Sequence, residues 1–155
     1  MEIISKSPEE TKELGRKIAA DLAISHKPLT IALTGDLGSG KTTFVQGFAK
    51  GLGLKTRIIS PTFILMRLYR VAPTTNHQSL VTSFYHVDLY RFEKNAEREV
   101  VNLGLTDLWE QKENIVVIEW AEKIRGLIPM GSTWIKFEVL DENRRKITVK
   151  ANFKD

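Results

Sequence analysis

Between Leu29 and Leu52 an apolar β-rich run, a glycine-rich octet and an amphipathic run follow one another without interruption. The octet is Gly35-Asp36-Leu37-Gly38-Ser39-Gly40-Lys41-Thr42, which matches G-x-x-x-x-G-K-[ST], the phosphate-binding loop pattern. Leu29-Thr30-Ile31-Ala32-Leu33-Thr34 before it has the continuous apolar character of a buried parallel strand. Phe44, Val45, Phe48, Ala49 and Leu52 after it recur at helical spacing, and Gly53 supplies a stop. A strand, a tight glycine loop and a helix form half of a parallel α/β unit, so this stretch dictates a fold class as well as a chemistry.

Polyphosphate oxygens are best held by converging backbone N–H groups, and glycines let the chain curl tightly enough to present them. The following helix aims the positive end of its dipole at the same anion. Leu37, Gly38, Ser39, Gly40, Lys41, Thr42 and Thr43 are therefore the expected nucleotide-holding residues. Lys41 would reach the β- and γ-phosphates, and the Thr42 hydroxyl would ligate Mg²⁺. A nucleoside triphosphate and Mg²⁺ are the implied ligands.

The rest of the chain fits a single α/β domain over residues 1–155: a mixed sheet with a parallel core, antiparallel edge strands and helices on both faces. Residues 1–5 read as a short strand or tail. Ser7-Pro8-Glu9-Glu10 announces a helix, with a capping serine, proline at the first helical position and glutamate three residues past the cap. Leu14, Ile18 and Leu22 then share a face, and Lys27-Pro28 ends the segment. Further strands are expected at Arg57–Ser60, Ile64–Tyr69, Val81–Val87, Ile115–Ile118, Thr133–Leu140 and Lys146–Ala151, the last two joined by the turn Asp141-Glu142-Asn143. Residues 72–79 read as a surface loop. A helix is expected from Asn95 to Leu103, and a second, capped by Thr106, through Glu110.

In such sheets ligands sit at the carboxyl ends of the strands, where Asp88 and Glu119 both fall. One acid would hold Mg²⁺ and the other would act on the attacking water; the residues alone do not say which. Thr62, in Ser60-Pro61-Thr62-Phe63, is a candidate γ-phosphate sensor or a plain turn threonine. Arg91 could neutralise phosphate charge or serve structure. Trp120 reads as a core or wall aromatic, and His86 as a strand histidine with its hydrogen bonds satisfied.

Composition narrows the function classes. The net charge of +4 is spread along the chain, denser only at Arg144-Arg145-Lys146 and Lys150, and reads as a solvated face. Zero cysteines exclude disulfides and thiolate metal sites, and His26, His77 and His86 lack zinc spacing. With no apolar run of membrane-spanning length and no signal-peptide layout at Met1–Lys6, a cytoplasmic location is expected.

The octet with Thr43-Phe44, then Ser60-Pro61-Thr62-Phe63, His86-Val87-Asp88-Leu89-Tyr90-Arg91 and Ile118-Glu119-Trp120, in that order, closely resemble the TsaE (YjeE) family. The resemblance includes the opening helix, where Glu10-Thr11 precedes Leu14-Gly15. It implies a bacterial ATPase, weak and partner-dependent, that works with the TsaB and TsaD proteins. Together these install threonylcarbamoyl on N6 of adenosine-37 in tRNAs reading codons that begin with A, and ATP hydrolysis resets the complex between turnovers. By motif matching, Lys41 and Thr42 take phosphate and Mg²⁺ roles, Glu119 is a metal-associated acid, Asp88 an acid required for activity, and Thr11 lies near the adenine. Direct contact with tRNA is left open.

Two positions depart from the family pattern: the segment from Phe63 to His86 is longer, and Gln46 stands where many members carry arginine. Two other functions fit a phosphate-binding loop. A small-molecule kinase would need an arginine-rich lid, and residues 121–132 carry only Arg125. A nucleotide-dependent switch, with incidental hydrolysis, would use the same residues. A guanine-specific Asn-Lys-x-Asp is absent.

Overall fold

The computed structural model describes residues 1–24, 29–72 and 80–151. His26, Lys27-Pro28, His77 and most of the expected 72–79 loop lie outside them. Seven strands form one mixed sheet: β1 (Glu2–Ser5), β2 (Leu29–Thr34), β3 (Met66–Arg70), β4 (Ser83–Asp88), β5 (Asn114–Glu119), β6 (Thr133–Val139) and β7 (Arg145–Ala151). Their spatial order is β1-β7-β6-β2-β5-β4-β3. The centre, β6-β2-β5-β4, is parallel. β3 pairs antiparallel with β4, and β7 pairs antiparallel with both β6 and β1. The expected parallel core with antiparallel edges is what forms.

Helices α1 (Pro8–Ala23) and α2 (Lys41–Gly51) cover one face; α3 (Ala96–Asn102), α4 (Leu105–Leu108) and a 3-10 turn at Ala121–Ile124 cover the other. Because strand side chains alternate, each central strand feeds both layers. Ile31 and Leu33 of β2, and Ile115 and Val117 of β5, pack with Phe44 and Phe48 of α2. Ala32, Val116 and Ile118 pack with Val100, Leu105 and Ile124 beneath the opposite face. The same alternation carries Phe84, His86 and Asp88 of β4, and Glu119 of β5, toward the α2 side.

α1 begins as read: Ser7 Oγ accepts from Glu10 N at 3.2 Å, and Glu10 returns a bond to the Lys6 N–H at 2.7 Å. α2 stops through a Schellman motif, with Gly53 N–H on the Lys50 carbonyl (2.9 Å) and Leu54 N–H on that of Ala49 (3.0 Å). Four expectations change. The strand expected over Ile64–Tyr69 runs Met66–Arg70, because Ile64 and Leu65 belong to the preceding turn, with Leu65 at φ 66°. Residues 57–60 form no strand, although Ile58 is buried and its carbonyl accepts from Gln46 Nε2 at 3.4 Å. Strand propensity alone does not place those residues in the sheet, whose seven strands do not include them. Thr106 lies inside α4; Gly104, at φ 73°, is the residue before the helix, and the left-handed backbone favours glycine there. The strand expected over Val81–Val87 runs Ser83–Asp88, carrying its ladder one residue further, to Asp88 itself.

The contact between α1 and α2 is made at glycine. A methyl at Gly47 would come within 2.6 Å of Lys12 Cα and overlap the Lys12 carbonyl. A methyl at Gly15 would lie 2.9 Å from the Phe48 backbone nitrogen. Helix backbones cannot yield to such overlap without separating. Gly47→Ala should therefore lower stability by about 1–3 kcal/mol, read as a lower urea midpoint at unchanged m-value.

Candidate functional site

β2 ends at Thr34, and the glycine octet turns the chain into α2 over the carboxyl ends of β5 and β4. At Gly35 (φ 136°) a methyl would approach Ser39 Oγ to 2.9 Å and run into the Phe137 carbonyl. Gly40, at φ 103°, is the N-cap of α2, and no side chain caps that end. The leading N–H groups of the helix therefore face outward over the loop.

Lys41, only 5% exposed, bends back over the loop. Its Nζ donates to the carbonyls of Gly35 and Asp36 (2.9 Å to the latter) and stands 4.2 Å from the Trp120 ring centroid. Burial pushes its ammonium below the usual lysine range, opposed by the carboxylates of Glu119, Glu122, Asp88 and Asp36.

Glu119 and Asp88 are register partners at the ends of β5 and β4, both almost fully buried. The Thr42 hydroxyl donates to Glu119, 2.9 Å from Oε1 and 3.0 Å from Oε2. His86 Nε2 lies 2.8 Å from the same Oε1. Asp88 has a different set of partners. Its Oδ2 accepts from Ser60 Oγ (2.6 Å) and Thr62 Oγ1 (2.8 Å), while Oδ1 accepts from the Tyr90 N–H (2.9 Å). Pro61, buried, sits between the two hydroxyls.

Lys41, Thr42, Ser60, Thr62, Asp88, Tyr90 and Glu119 line a cleft of about 460 Å³, with His86 behind it. All of the expected residues reach it: Thr11, Leu37, Gly38, Ser39, Gly40, Lys41, Thr42, Thr43, Thr62, Asp88 and Glu119. Thr11 is buried on the α1 wall, its hydroxyl 2.7 Å from Ser5 Oγ. Trp120 is a wall aromatic, as read, and packs against Tyr90 with ring centroids 5.3 Å apart. Arg91 is not in the cleft; its guanidinium lies over the exposed Phe63 ring at 5.3 Å.

The residues alone did not point to the wall opposite the acids. Ser7 and Pro8 at the start of α1, and Glu142, Asn143 and Arg145 from the β6–β7 hairpin, complete the cleft. Arg145 Nη1 donates to the Asp141 carbonyl at 2.9 Å, and its Nη2 reaches the Gly38 carbonyl at 3.4 Å. The hairpin turn was recognisable as a turn, but nothing local tied it to a loop 107 residues away. His86 departs from its reading in another way: one ring nitrogen touches Glu119, while Nδ1, buried, has no partner among the described residues.

A family model described as "Threonylcarbamoyl adenosine biosynthesis protein TsaE" matches residues 5–147. The chain belongs to the TsaE family. It is 37% identical over 145 residues to the tRNA threonylcarbamoyladenosine biosynthesis protein TsaE of Bacillus subtilis, covering 94% of this chain and 82% of that one. Against the protein of the same name from Rickettsia felis it is 37% identical over 152 residues, covering 97% and 80%. The crystal structure of Bacillus subtilis YdiB is similar throughout, with a TM-score of 0.74 at 31% identity over 99% of this chain and 86% of that one. Among the described residues, no helix is long and apolar enough to cross a membrane.

The Asp88 arrangement makes a prediction that needs no ligand. Asn at position 88 cannot accept on both sides as a carboxylate does, so the Ser60–Thr62 hydroxyls lose their anchor. Amide exchange across residues 60–63 in Asp88→Asn should quicken by about tenfold, the equivalent of losing one hydrogen bond to a charged group. Mass-spectrometric exchange of the two proteins reads this directly.

Proposed function

We propose that this chain is a slow Mg²⁺-dependent ATPase that supports formation of N6-threonylcarbamoyladenosine at position 37 of tRNAs reading codons that begin with A, acting with TsaB and TsaD in the cytoplasm. The observation that carries this reading is the convergence of Lys41, Thr42, Glu119 and Asp88, from three elements, on one cleft beneath a phosphate-binding loop. Family membership supplies the tRNA context; the partners enter through the family resemblance.

The donor set fits the ligands. Thr42 and Glu119 offer hard oxygen ligands already held against each other, as Mg²⁺ prefers. Bound there with the triphosphate, the ion would neutralise charge developing on the phosphate oxygens. The Lys41 ammonium now satisfies itself on backbone carbonyls, and those bonds are exchangeable for phosphate oxygens. The uncapped start of α2 directs N–H groups and a partial positive charge to the same place.

The two acids take different roles. Glu119, on Thr42, is the metal-associated acid. Asp88, its lone pairs oriented by Ser60, Thr62 and the Tyr90 N–H, is the acid that orders the attacking water. Thr62 reports the state of the site through its bond to Asp88. The far wall, from Thr11 to Asn143, would receive the nucleoside.

A small-molecule kinase finds less support. Residues 121–132 form a 3-10 turn and loop rather than a helical lid, and the Arg125 guanidinium lies 4.7 Å from the Trp134 ring centroid. Reconstituted tRNA modification with TsaB and TsaD separates an ATPase from a nucleotide switch. The ATPase stalls after about one turnover with a non-hydrolysable analogue; the switch continues.

Lys41→Ala should lower ATP hydrolysis at least ~100-fold, because the phosphate charge loses its buried partner. Normal turnover in that variant would refute the assignment. Lys41 also makes nucleotide binding pH-linked. Its ammonium is disfavoured by burial in the free protein, and a polyphosphate beside it restores the charged form. In alkaline buffer below the ordinary value of 10.5, ATP binding should therefore take up protons, seen as opposite heat offsets in buffers of different ionisation enthalpy. Lys41→Met should remove that uptake.

A further inference from the structure

We propose that His86 is a positioning residue: it holds the Glu119 carboxylate in the orientation that receives the metal ion, without itself touching nucleotide or metal. The inference rests on the reading of Glu119 as the metal-associated acid and assigns that acid its support.

Three observations carry it. First, His86 Nε2 stands 2.8 Å from Glu119 Oε1, and both side chains are buried, at 0% and 3% exposure. A carboxylate only accepts, so Nε2 carries the proton and donates. Second, this is the ring's one polar contact among the described residues: Nδ1 is buried and has no partner there. The ring stacks on Phe84, 6.4 Å between centroids and 10° between planes, in a setting an apolar side chain could fill without orphaning a nitrogen. A histidine kept for packing would be a poor choice at this position. Third, strand geometry makes the contact specific. His86 opposes Val117 and Asp88 opposes Glu119 in the β4–β5 ladder, so His86 reaches Glu119 diagonally from two residues before the second acid.

Thr42 alone would leave Glu119 with one mobile donor from a helix start. The second donor comes from the packed interior of the sheet and removes the remaining rotation. Supports of this kind, behind a ligating carboxylate, typically change metal affinity by 10–100-fold when removed.

The test compares wild-type protein with His86→Leu, which keeps the bulk, and His86→Gln, which keeps an N–H donor. Calorimetry gives ADP affinity with and without Mg²⁺, and the readout is the factor by which Mg²⁺ strengthens binding. That factor should fall about tenfold in His86→Leu and recover most of the way in His86→Gln, with metal-free ADP affinity within about twofold throughout. In wild-type protein the Nε2-bound proton should give a slowly exchanging NMR resonance that moves when Mg²⁺ is added to the ADP complex, a reading that needs no variant to fold. Equal loss in both variants, or a resonance indifferent to Mg²⁺, would reduce His86 to packing and overturn the proposal. A Mg²⁺ factor untouched by either variant would overturn it alone. A wild-type protein with no Mg²⁺ factor at all would take the ATPase reading down with it.

Discussion

The Thr42 hydroxyl on Glu119 is the bond through which the parts of this molecule become one site. It ties the first turn of α2 to the last residue of β5, the most buried strand of the sheet. A carboxylate with little access to water is costly unless its lone pairs are occupied. Here Thr42 and His86 occupy them, so the carboxylate is held in place by hydrogen bonds from two elements. Lys41, one residue before Thr42, contributes attraction from across the cleft while remaining bonded to the loop.

That bond depends on how tightly α2 lies over the sheet, which in turn depends on α1. Gly15, Gly47 and Gly51 let the two helices meet backbone to backbone, and Phe44 and Phe48 then press into Phe84 and Phe137. Phe137 also limits Gly35, so the aromatic layer and the glycine-rich loop share a boundary. Packing and site geometry are thus the same problem on this face. The opposite face, built from Trp134, Val100 and Ile124, supports the sheet and reaches the cleft through Trp120, which packs against it.

Strand parity explains which polar residues were readable in advance. Asp88 and Glu119 stood out because each closes a run of β-formers, and the alternating pleat then aims them at α2. His86 has the same parity, yet a lone histidine within a strand carries no local mark of its partner; only the β4–β5 register places it beside Glu119. Arg91 shows the converse. Its place in His86-Val87-Asp88-Leu89-Tyr90-Arg91 left phosphate and structure both open, and the chain turns after Leu89 and sends the guanidinium onto Phe63. Ile58 and Ile59 had strand propensity, yet they join no strand of the sheet, and Ile58 is buried against the α2 layer instead.

What the residues determined by themselves was the local chemistry. The octet, its flanking strand and helix, the serine cap and the glycine stop all act over a few residues, where backbone preference and hydrogen bonding are nearly independent of the rest. The mixed sheet followed too, because apolar runs of strand length alternate with helical periods. Tertiary structure decided which groups meet: Glu119 against Thr42, Asp88 against the Ser60–Thr62 loop, and Arg145 of the β6–β7 hairpin against the Gly38 carbonyl. Those choices depend on register and on pairs of residues distant in the chain, and such contacts acquire an energy only once the sheet has brought their backbones together.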